Sequence, residues 1–233
     1  NNNKPFIEGY GDKPMGAGFY PTDMTREEFD SFDSPDKTSL YTLIQRDHNG
    51  QLVSVPYSRA YRVQHEKAAE LMRKAAVLAD YETLKTYLNL RAEALLTDDY
   101  LPSDLVWMDM RDNNIDFVVG PIENYEDRLF NYKAAHEAYI LIKDLEWSRR
   151  LDRFTALLPA LQTSLPVSPE YKAESPGSDS DMGVYDAIFY AGDCNAGSKT
   201  IAINLPNDPE VHIQKGSRKL QLKNSMRYKF DHI

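Results

Sequence analysis

Tyr190-Ala191-Gly192-Asp193-Cys194-Asn195-Ala196-Gly197-Ser198-Lys199-Thr200-Ile201-Ala202-Ile203-Asn204-Leu205-Pro206-Asn207-Asp208 is the stretch on which the fold assignment turns. It joins a loop of small residues to an apolar, β-prone run, and Asn204 and Asn207 stand three positions apart around Pro206. With the run that precedes it, the stretch predicts two strands, Val184 to Tyr190 and Thr200 to Leu205. Ahead of them lies a polar connector, where Pro166, Pro169, Pro176 and Gly177-Ser178-Asp179-Ser180-Asp181 interrupt any regular element. Upstream of the connector, long helical patterns alternate with shorter β-prone ones. The combination implies an α+β fold.

Working toward the N-terminus, Lys143 to Leu165 predicts a helix with Leu145, Leu151, Phe154, Leu157, Leu158 and Leu161 on a 3.6 period. Phe130 to Ile142 and Ile115 to Gly120 read as strands, with Asn113-Asn114 as a turn. Ser103 is placed to cap a short helix carrying Trp107 and Met108. Ser58 opens a helical region to Leu78, and a second helix follows from Tyr81 to Leu96. Before these, Thr38 to Gln45 and Gln51 to Tyr57 alternate about Asp47-His48-Asn49-Gly50, the signature of a β-hairpin. Residues 1–36 form a Gly- and Pro-punctuated arm with a capping-box start at Thr25-Arg26-Glu27-Glu28. At the other end, Lys219 to Ile233 reads as a helix. The implied organisation is an arm (1–36), hairpin, helices and strands (37–142), a helix and connector (143–182), and returning strands with a helix (183–233).

Composition narrows the function classes. The 27 basic and 36 acidic residues give a formal charge of −9, the wrong sign for a chain that must neutralise phosphates or anionic lipid. Neither nucleic acid nor membrane is an expected partner. A lone cysteine, Cys194, excludes an intrachain disulfide and a thiolate cluster, and reads as a small buried hydrophobe. The first residues, Asn1 to Pro5, carry no initiator methionine or signal pattern, so a piece of a longer protein is expected.

The familiar catalytic patterns are missing. Helical zinc hydrolases set two histidines at i and i+4 around a glutamate base. His65-Glu66 and His136-Glu137 each lack the second histidine and read as structural. Ser198 has no G-x-S-x-G context, and Cys194 has no adjacent base. Ala196-Gly197-Ser198-Lys199-Thr200 has the phosphate-loop residues in the wrong order and precedes a strand. Glu123, Glu126 and Asp127 could supply a carboxylate pair, although such clusters are usually solvated turns.

Two segments carry a resemblance. Gly120-Pro121-Ile122-Glu123-Asn124-Tyr125-Glu126-Asp127 contains an E-x-Y segment, and Ala202-Ile203-Asn204-Leu205-Pro206-Asn207 an A-x-N-x-P-N segment. In this order they resemble the dipeptidyl peptidase III family of zinc exopeptidases, across most of residues 100 to 233. The resemblance implies a mixed, barrel-like β substrate-binding lobe with flanking helices, part of a two-lobed metallopeptidase that releases dipeptides from a free N-terminus. It implies that Glu123, Asn204 and Asn207 hold the peptide's α-ammonium, and that Tyr125 stabilises charge developing at the scissile carbonyl. The edge formed by residues 192 to 204, with Gly192 and Gly197 among them, would accept the peptide as an added strand. Zinc is implied for the parent protein. Its H-E-x-x-G-H motif is absent from this sequence, so this chain is expected to bind no metal and to act with a remaining catalytic lobe. A non-catalytic peptide-binding α+β module is the alternative.

Overall fold

The structure is a computed structural model that describes residues 9, 11–172, 181–192 and 200–232. It has the α+β composition expected, with a mixed five-stranded sheet, a separate hairpin and helices. The chain divides into two compact units. One takes residues 1–113, 118–138 and 190–198, and the other takes 114–117, 139–189 and 199–233.

The first unit is built around aromatic burial. Strands β1 (Thr42–Arg46) and β2 (Leu52–Pro56) pair antiparallel, from Thr42 opposite Pro56 to Arg46 opposite Leu52. Their turn is fixed by Asp47, whose carboxylate accepts the N–H groups of Asn49 and Gln51, while Gly50 takes the left-handed φ of 80°. Helix α1 (Arg26–Ser31) begins where the capping pattern places it, with Thr25 Oγ1 accepting the Glu28 N–H at 3.1 Å. Phe19, Tyr20, Phe29, Leu43, Ile44, Leu52, Tyr57 and Ala135 close a core beneath these elements.

A short helix α2 (Tyr57–Ala60) leads into α3 (Arg62–Leu78), followed by α4 (Glu82–Thr97) and α5 (Leu101–Asp109). Along α3, His65, Ala69, Met72 and Ala76 are buried, whereas Leu71 and Leu78 face solvent. Ser103 does not cap α5. That helix starts earlier, with Pro102 in its first turn, where a missing N–H costs nothing, and Ser103 donates to the Tyr100 carbonyl inside it.

In the five-stranded sheet the order is β3 (Ile115–Glu123), β4 (Ala135–Lys143), β5 (Asp181–Gly192), β7 (Arg218–Leu222), β6 (Ala202–Leu205). β5 and β7 are parallel, β6 and β7 antiparallel. In the second unit the expected helix over 143–165 is two, α6 (Leu145–Thr155) and α7 (Leu158–Ser164). Pro159 sits in the first turn of α7, because its ring and missing N–H do not fit a helix interior. Asp144 caps α6 by accepting the Trp147 N–H.

Lys219 to Ile233 is likewise not one helix. Arg218, Leu220 and Leu222 are buried alternately with less buried Lys219 and Gln221, a strand period, and α9 (Lys223–Phe230) starts only afterwards. A helix α8 (Pro209–Lys215) precedes β7, capped by Asp208 and ended at Gly216. At the centre of this unit, Arg218, 1% exposed, pairs with buried Asp116 at 2.6 Å and reaches the Tyr185 hydroxyl at 3.2 Å.

Candidate functional site

The E-x-Y segment closes β3. At Gly120 the backbone has φ 133°, and a Cβ would come within 3.3 Å of the Tyr100 ring and 3.5 Å of the Arg91 guanidinium. Glycine therefore lets β3 pass close to Arg91, itself buried and paired with Asp104. Three residues on, Glu123 ends the strand half-buried, and Tyr125, 57% exposed, opens the 3-10 turn Tyr125–Asp127.

What holds that turn is Asp127. Its Oδ1 accepts the N–H groups of Leu129, Phe130 and Asn131 at 2.7–3.0 Å, and Oδ2 accepts those of Tyr132 and Lys133 at 2.9 and 3.2 Å. The Tyr20 hydroxyl donates to Oδ2 at 3.0 Å. Burial alone would raise the pKa of Asp127, but these donors outweigh it and hold the carboxyl below the usual range. Arg128 and Asn131 take left-handed φ values of 53° and 59° around the hub. Asp127 is thus neither a solvated turn residue nor half of a catalytic carboxylate pair. It is a fixed anion around which the chain folds.

The second motif is as firmly built. Ile203 and Leu205 of β6 point inward and Asn204 outward, in register with Lys219. Past the cis Leu205–Pro206 bond, Asn207 is exposed, and Asp208 accepts the Glu210 N–H at 2.7 Å. His212 Nε2 donates to the Pro206 carbonyl at 2.5 Å. Asn204 and Asn207 are thereby displayed on one corner, in the second unit. Glu123 and Tyr125 are displayed on one turn, in the first.

Gly192 has φ 80°, and a Cβ there would lie 2.1 Å from the His136 carbonyl oxygen, so only glycine permits this approach of the β5 end to the β4 backbone. Gly197 and Cys194 lie outside the described residues. Along β5, pairing with β7 runs from Asp181 to Tyr185. At Ala187 the Asn224 side chain takes over, its Oδ1 accepting the N–H at 3.0 Å and its Nδ2 donating to the carbonyl at 2.7 Å.

Sequence reading missed the union of His65 and His136, 71 positions apart. Their Nε2 atoms are 2.8 Å apart, and His65 Nδ1 lies 2.6 Å from the Leu95 carbonyl. A carbonyl only accepts, so His65 carries its proton on Nδ1, and His136 must donate through Nε2. Burial, then the neighbouring His65, pushes His136 down to about 4; burial also lowers His65. Two imidazoles bonded to each other are not arranged as metal ligands. Among the described residues, no three His, Cys, Asp or Glu side chains group to hold a metal. No described helix is long and apolar enough to cross a membrane.

No family model matches the chain. The structure of DPP III from Caldithrix abyssi superposes with a TM-score of 0.89 at 48% identity, over 99% of this chain and 45% of that one. Dipeptidyl-peptidase III from Corallococcus sp. strain EGB gives 0.79 at 38% identity, over 95% and 42%. Nudix hydrolase 3 of Arabidopsis thaliana is 35% identical over 248 aligned positions, 95% of this chain but 32% of the plant protein. The chain thus spans less than half the length of each. The fold is an α+β module similar to part of these peptidase structures. Over almost its whole length the chain is dipeptidyl peptidase III-like.

Proposed function

We propose that this chain is the substrate-binding portion of a peptidase that releases dipeptides from the free N-terminus of peptides. The observation that carries the reading is the Asp127-locked turn, which presents half-buried Glu123 and exposed Tyr125 together in a chain 48% identical to a dipeptidyl peptidase III.

A carboxylate partly removed from water binds an α-ammonium through charge-assisted hydrogen bonds, with the Asn204 and Asn207 carbonyls as further acceptors. Fixing that end of the peptide sets which bond is cut. Tyr125, as a donor, stabilises the oxyanion developing at the scissile carbonyl. Strand addition along the edge that the resemblance ascribes to residues 192 to 204 gives affinity with little dependence on side chains. The cleavage step is assigned to residues other than the described ones, as is the zinc that the resemblance implies. This chain alone is expected to bind peptide without cutting it.

Full-length protein with Glu123→Gln tests the reading. Losing one charge-assisted contact should lower kcat/KM for free-N-terminus peptides at least about tenfold. N-acetylation of the peptide should cripple the parent enzyme and matter little to the variant. Equal kcat/KM for parent and variant would overturn the clamp. A full-length protein that binds such peptides without cleaving them would favour a peptide-binding module.

A further inference from the structure

The turn that displays Glu123 and Tyr125 is held from outside by the N-terminal arm. Lys13 Nζ pairs with Glu126, the residue after Tyr125, at 2.6 Å, and both side chains are about three-quarters buried. Tyr20 donates to Asp127 at 3.0 Å, in a contact closed to water. Phe29 stacks on Phe130 with ring centroids 4.4 Å apart, fastening the far side of the turn. The arm is shaped for this. Gly16 has φ 75°, and a Cβ there would meet the Tyr20 ring at 2.8 Å and the Leu129 side chain at 3.5 Å. Without glycine at that point, Lys13 and Tyr20 could not both descend on the turn.

We infer that Lys13 and Tyr20 are positioning residues, so that the Gly- and Pro-rich arm is part of the substrate-site machinery and not a passive leader. The inference rests on the clamp reading of Glu123 and Tyr125. Neither arm residue touches substrate. Each acts by fixing the residue adjacent to Tyr125 or the hub two residues beyond it, and small misplacements of such groups cost rate.

The experiment uses full-length protein carrying Lys13→Met, Lys13→Arg or Tyr20→Phe, beside Glu123→Gln. Lys13→Met should lower kcat about threefold and Tyr20→Phe about fivefold, with smaller changes in KM, since Tyr125 acts in the transition state. Lys13→Arg should restore kcat, which a loss of general stability would not do. Amide exchange should quicken at residues 124–133 in both Lys13→Met and Tyr20→Phe but not along α4. If kcat stays within twofold of the parent in both while Glu123→Gln is impaired, the arm inference falls and the clamp stands. If Glu123→Gln is unimpaired, the clamp falls, and the inference falls with it. Unchanged exchange at 124–133 would overturn the arm's hold on the turn.

Discussion

The most deeply buried charges of the two units are satisfied in opposite ways. In the first, Asp127 is satisfied by five backbone N–H groups and one phenol, and Lys133, fully buried, donates to the Lys37 and Ser39 carbonyls and to Thr42 Oγ1. In the second, Arg218 is satisfied by a carboxylate, Asp116, drawn from 102 positions away. A charge held by backbone dipoles specifies the conformation of the chain around it. A charge held by a counter-charge specifies which strands meet. The first device suits a turn that must display side chains, and the second suits a sheet that must not slip register.

The sharpest way to break the contrast is Arg218→Met. It leaves the Asp116 carboxylate buried without its guanidinium, and destabilisation of about 3–5 kcal/mol is expected in chemical unfolding. Adding Asp116→Leu should recover much of that loss, as befits a pair. No second substitution should rescue Asp127→Asn in this way, since its partners are main-chain groups.

A middle-sized effect concerns the histidine pair, where neutrality is the requirement. The folded-state pKa of His136 is about 4 against an ordinary 6.5, so the unfolded chain binds the proton more readily. Stability is therefore whole above pH 6.5 and declines as the pH falls toward 4, by roughly 3 kcal/mol in all. His136→Gln should flatten that limb of a stability-versus-pH curve. Asp127, with a lowered pKa, contributes stability that is lost only at still lower pH. The two limbs should separate in thermal melts across pH 3–7.

The smallest expected effect is Asp127→Asn, about 2 kcal/mol, because an amide keeps one acceptor for the N–H groups but loses the charge and the second oxygen. Its unfolding midpoint should shift less than that of Arg218→Met. Its amide exchange should change more locally, at Leu129 to Lys133.

Much of this was legible in the sequence, for a physical reason in each case. The hairpin declared itself through Asp47 and Gly50, and α1 through Thr25 and Glu28, because turns and caps are written in adjacent residues. Pro159 was equally local, and the period-3.6 leucines around it obscured the break. The strand over Arg218–Leu222 went unread because its buried positions include an arginine, which only the distant Asp116 makes compatible with a core. Asp208-Pro209 and Gly216 mark both ends of α8, a signal present but not used. Glu123 and Tyr125 could be singled out by motif. That Asp127 is the hub of their turn could not, since its partners are backbone groups. His65 and His136 read as lone His-Glu pairs, and their pairing across 71 positions leaves no local trace.

The single side chain of Asn224 has a consequence of its own. A primary amide reproduces one peptide unit, a donor beside an acceptor, and at Ala187 it replaces the strand that β7 would have continued. It works as a punctuation mark in the ladder, because it stands where β5 parts from β7. The point at which the two strands separate is thus set by one amide at the start of α9, and a single substitution at position 224 should move it.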